Sequence, residues 1–105
     1  AVAVDEVMDV KWGMLDAMES QFYEWLPWLD GQLEEVPKEP EDRKEWLIRQ
    51  WTPFFRQFTI VGYKPLRKRY GAARARHVKF AEVFEISEYG RRPSPTELKT
   101  LFPFR

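Results

Sequence analysis

The chain has no cysteine and a single histidine, His77, in 105 residues. The first absence removes disulfides and every thiolate metal site. The second leaves too few imidazoles for a histidine-rich metal centre, and no His-x-x-Glu-His spacing occurs. Beside Arg76 and Lys79, His77 reads as a surface residue rather than a ligand. Glycine is scarce at five. Neither a glycine-rich phosphate loop nor a Gly-x-Ser-x-Gly turn is present. No apolar run approaches the roughly 18 residues of a membrane span. The N-terminus lacks the basic and apolar regions of a signal peptide, so a cytoplasmic chain is the expectation. These absences leave no complete catalytic constellation among the chain's own residues.

What is abundant is aromatic and charged. Aromatics make up 16% of the residues and hydrophobics 44%, enough to form a core and to argue against disorder. The net charge is zero but unevenly spread. Residues 1–50 hold 13 carboxylates and 5 Lys/Arg, a balance of −8; residues 51–105 hold 4 and 12, a balance of +8. One reading is a nucleic-acid face. The favoured one is that the halves pack together with opposite charges matched, because the basic residues are interleaved with core-like apolar ones.

Along the chain, Val2 and Val4 fit a short strand and Asp5 a helix cap. Val7, Val10, Met14, Ala17 and Met18 recur at steps of three and four. This predicts an amphipathic helix over 6–20 with those residues in the core. Tyr23, Trp25 and Trp28 lie in a dense aromatic run interrupted by Pro27. They read as core plugs, or as a wall for a sugar or a partner protein. Residues 30–42 are acidic and hold Gly31, Pro37 and Pro40, which predicts a flexible loop. A helix near 41–60 follows, its apolar face carried by Trp46, Leu47, Gln50, Trp51, Phe54, Phe55 and Phe58. Pro53 should kink or divide it. Thr59, Ile60 and Val61 form a short β-branched run that Gly62 stops. The basic segment 64–79 reads as a partly helical, solvated connection. Nucleic-acid binding would need its cations on one exposed face, with aromatics free to stack.

The closing stretch is the most patterned. Phe80, Phe84 and Ile86 alternate with Ala81 and Val83, which predicts a strand over 80–86 covered on both faces. Tyr89 and Gly90 break it. Ser94-Pro95-Thr96-Glu97 has the form of a capping box, and Leu98, Leu101 and Phe102 give the following helix one apolar face. The composition as a whole predicts one mostly helical unit over 1–105, with short strands near 2–4 and 80–86.

This closing stretch resembles the C-terminal end of the PIG-L/LmbE family of zinc-dependent de-N-acetylases. The likeness is carried by Lys79 to Arg91, with Glu82, Phe84, Glu85, Tyr89 and Gly90 as its signature. A proline, the capped helix and Leu101-Phe102-Pro103-Phe104 follow. Tyr70-Gly71 fits the same pattern. Val2-Ala3-Val4, Lys11 and Ala17-Met18-Glu19-Ser20-Gln21 are similar to an earlier segment of that family, with Met18 where many members have histidine. About half the chain is covered. The resemblance implies an α/β fold, a Rossmann-like sandwich of which this chain is the C-terminal third. It implies hydrolysis of N-acetylglucosamine-type amides, with zinc polarising the amide and activating water. The family's His-Pro-Asp-Asp motif is absent, so no catalytic or metal residue is carried over, and no metal is expected on this chain alone. The implied partners are the metal-binding N-terminal portion of such an enzyme, or a second copy of the chain, and an N-acetylated sugar in the complete enzyme. Two alternatives stand beside it: a non-catalytic helical interaction module anchored by Trp25, Trp28, Trp46 and Trp51, and a nucleic-acid binder using 64–79.

Overall fold

The computed structural model describes residues 1–103; Phe104, the last residue of the closing motif, lies outside them. The chain is mostly helical. Strand β1 (Val2–Ala3) leads through a 3-10 turn (Asp5–Val7) into α1 (Met8–Asp16). A π-helical stretch (Ser20–Trp25) runs into the short α2 (Leu26–Leu29), and a 3-10 turn (Leu33–Glu35) follows. Then come α3 (Pro40–Val61), α4 (Tyr63–Ala75), β2 (Ala81–Glu82) and α5 (Pro95–Leu101). The two strands pair antiparallel, Val2 opposite Glu82 and Ala3 opposite Ala81.

The first helix is shorter than its periodicity predicts and turns a different face inward. Met8 and Trp12 are buried, while Val7, Val10, Met14 and Met18 are exposed. Two apolar stripes compete on this helix, and the one carrying the indole wins. Trp12 makes edge-to-face contacts with Phe55 (5.4 Å between centroids) and Phe80 (6.3 Å), contacts worth something beyond area alone. Asp5 does not cap the helix. Its carboxylate instead accepts the Lys79 backbone N–H at 2.8 Å, tying the first turn to the chain entering β2.

After α1 the wider π-helical winding lets the adjacent Phe22 and Tyr23 both face inward, where they meet Trp46 and Leu47. Helix α3 matches the predicted 41–60 span within a residue at each end. Pro40 takes the first helical position, with Glu41 and Asp42 in the first turn, where the helix dipole favours negative charge. Pro53 lies within α3 without dividing it, and Thr59 to Val61 are its last turn rather than a strand. Gly62 joins α3 to α4 in a tight place. A Cβ there would lie 2.8 Å from the Phe58 carbonyl oxygen and 2.9 Å from Val83 Cγ2.

The basic segment is α4, bent sharply at Gly71 (φ 80, ψ 162). The bend lets both Leu66, before it, and Ala75, after it, pack with Ala81. The predicted 80–86 strand shrinks to Ala81–Glu82. Its partner β1 has only two residues, and the cover that the alternating pattern calls for is absent, so Phe84 and Ile86 are exposed. Phe84 turns onto Phe102 (5.1 Å). The capping box forms as predicted: Ser94 Oγ accepts from the Glu97 N–H (3.3 Å), and Glu97 Oε2 accepts from the Ser94 N–H (2.8 Å).

Candidate functional site

A concavity of about 690 Å³ lies between β1 with its following turn, α4 and the end of α5. Val2, Val4, Val7, Val78, Phe84 and Phe102 give it apolar walls. Asp5, Glu6, Tyr70, Arg74, His77 and Glu82 supply its polar groups. Several of these are already engaged. The Ala3 N–H donates to Tyr70 Oη (3.2 Å), and the Arg74 guanidinium stands 4.8 Å over the Tyr70 ring. Asp5 holds the Lys79 N–H, and Glu82 is ion-paired with Lys11. No serine, threonine or cysteine lines the groove. It is an apolar trough whose charged groups are Arg74 and the carboxylates of Asp5, Glu6 and Glu82.

The zinc that the family resemblance implies needs several His, Cys, Asp or Glu side chains converging on one point. Among the described residues no three His, Cys, Asp or Glu side chains come together. His77, the only imidazole, is exposed on the groove rim. The residues present do not fit a catalytic zinc site, which takes three protein ligands around one open position.

The three aromatics proposed as a wall separate. Tyr23 is buried, 3% exposed, beneath the surface. Its hydroxyl donates to Asp16 Oδ1 (2.5 Å), and the Arg43 guanidinium stacks 4.2 Å from its ring centroid. Burial first, and the Asp16 bond second, push its phenol above its ordinary value. Arg43 also lies 3.7 Å from Glu19. Trp25 and Trp28, by contrast, are 51% and 64% exposed, between Glu24 and Asp30, which are exposed as well. The wall is therefore two indoles in an acidic setting.

The signature residues of the closing stretch divide in the same way. Glu82 is in β2 against Lys11, whose Nζ also lies 4.2 Å from the Phe55 ring centroid. Phe84 packs on Phe102. Glu85, Tyr89 and Gly90 are exposed, Gly90 at φ 139. The sequence pattern names Tyr70, Lys11 and Glu82 only through the family resemblance and does not show the Tyr70–Ala3, Arg74–Tyr70 or Lys11–Glu82 contacts. Their partners are 67 to 71 residues away or across a bend, and only the joining of chain ends reveals them.

Ion pairs among the described residues include Lys11–Glu82, Arg43–Glu19 and Arg91–Glu97. The first joins the halves with the sign reversed, and the other two lie within one half. No helix among the described residues is long and apolar enough to cross a membrane. Comparison of the chain with protein-family models, curated proteins and solved structures found no match.

Proposed function

We propose that this chain is a non-catalytic scaffold piece that completes a larger hydrolase of the zinc-dependent de-N-acetylase type. The supporting observation is that α1 is apolar on two sides. Met8 and Trp12 are buried against the chain's own residues, whereas Val10 and Met14, 66% and 65% exposed, are covered by nothing. Exposed Val10 and Met14, on a helix whose Met8 and Trp12 are already buried, support a further layer over this face. The groove beside it continues the same surface, since Val7 belongs to both. The identity of that layer rests on the resemblance of residues 79–104 and of segments within 2–21 to the PIG-L/LmbE family. In that reading the Rossmann-like sheet and all metal ligands are contributed by the other portion. The substrate, an N-acetylated sugar, is met by the assembled enzyme only.

The test is reconstitution. The purified chain is mixed with a polypeptide carrying a family His-Pro-Asp-Asp motif, and zinc content and hydrolysis of an N-acetylglucosamine amide are measured. Complex formation, with zinc bound and acetate released only in the mixture, is the expected outcome. A chain that binds no such polypeptide sinks the proposal.

A further inference from the structure

We infer that two copies of this chain associate through a pair of surfaces distinct from the α1 face, the acidic indole surface of one copy seating on the basic end of α3–α4 of the other. On the first surface Trp25, Trp28 and Leu29 are exposed between Glu24 and Asp30. On the second, Ile60 (79% exposed), Val61 and Tyr63 are followed by exposed Lys64, Arg67 and Lys68. Spacings of three and four put those cations on one side of α4, and Leu66, between them, is fully buried on the other.

Three properties of the two surfaces agree. Each joins large apolar side chains to charge of one sign, and the signs are opposite. The −8 and +8 balances of the two halves give the two surfaces complementary signs. Exposed indoles are also the side chains on which Lys and Arg stack best, and Trp anchors dominate interface energetics. A solvated charge pattern accounts for either half alone; it does not account for apolar residues embedded in both. A two-fold arrangement that makes the contact twice closes the assembly. A polyanion such as RNA fits the cations of α4 but leaves Ile60, Val61 and the two indoles in water, so the second copy is the better occupant.

Sedimentation velocity of the 105-residue chain tests this. Dimers are expected at about 0.05 M salt, with the dissociation constant at least about tenfold weaker at about 0.5 M, as screening of exposed charges requires. Two variants carry reversed charges, Glu24→Lys with Asp30→Lys in one, and Lys64→Glu, Arg67→Glu and Lys68→Glu in the other. Each should be monomeric alone, with native circular dichroism, and the two mixed should form a heterodimer. Trp25→Ala with Trp28→Ala should also be monomeric. A wild-type monomer at low salt overturns the inference, as does a dimer that survives either charge reversal. So does a chain that remains monomeric while its α4 cations hold co-purified nucleic acid, seen by absorbance and released by salt. None of these readouts depends on zinc or hydrolysis, so their failure is separable from failure of the reconstitution.

Discussion

The Tyr23 hydroxyl donates to Asp16 Oδ1 at 2.5 Å, across the junction where α1 gives way to the π-helical stretch. The bond explains how a phenol can be buried where the chain changes its winding. Removing the donor with Tyr23→Phe should cost about 1.5–3 kcal/mol, the range for a hydrogen bond to a charged group. The phenol is held above its ordinary value when folded. In the unfolded chain it ionises near pH 10, where the folded chain keeps its proton. The unfolded state then binds fewer protons, so this contribution is intact below about pH 10 and declines above it. Urea unfolding from about pH 8 to about pH 11 should show that decline in wild type and a smaller one in Tyr23→Phe. Equal slopes would refute the assignment.

Leu47 and Leu66 are each 0% exposed, in different clusters. Leu47→Ala and Leu66→Ala should each lose about 2–5 kcal/mol, as buried Leu truncations do. Denaturant midpoints measure this, and a loss under about 1 kcal/mol at either position would mean the site collapses around the vacancy.

Gly71 occupies φ 80, ψ 162, a region held almost only by glycine. Space is not the issue, since a Cβ there would meet nothing within 4 Å. Gly71→Ala should therefore destabilise by about 1–3 kcal/mol through backbone strain alone. A neutral result would show that α4 straightens without loss.

The capping box makes α5 sensitive to Ser94 and to acid. Ser94→Ala should speed amide exchange in α5 about fivefold relative to α3. Glu97 is held below its ordinary value, first by the Ser94 backbone N–H and then by Arg91. Its stabilisation is present above the usual glutamate range near pH 4 and is lost as the pH falls through the lowered folded value. Exchange in α5 that stays flat across that window would remove Glu97 from the cap.

Val10→Asp with Met14→Glu should leave the isolated chain's stability within about 0.5 kcal/mol, because both side chains already meet water. The same variant should fail to join the metal-binding portion in the reconstitution. Loss of folding instead would show that this face is covered within the chain.

Legibility in the sequence followed the range of the interactions. The α5 capping box and the span of α3 were readable because their determinants lie within a few residues. The inward face of α1 was not. Val7, Val10, Met14 and Met18 make a regular stripe, and only the positions of Phe55 and Phe80 decide in favour of Trp12. Likewise the alternation over 80–86 registers a need for cover on two faces, while the strand that forms is limited by the two residues of β1. The groove is assembled from β1, α4 and the end of α5, and nothing local marks His77 or Arg74 as its neighbours.

Seven of the ten buried hydrophobic residues fall in two clusters, Phe22, Tyr23, Trp46 and Leu47 in one and Leu66, Ala75 and Ala81 in the other. Between them Trp12 touches Phe55 and Phe80. A molecule divided in this way has a natural line of parting. The cluster around the joined chain ends can open while the Trp46 cluster stays closed, so cooperativity is limited by the rings at the seam. Trp12→Ala should then split one melting transition into two, and a partner bound over the chain ends would fuse them again.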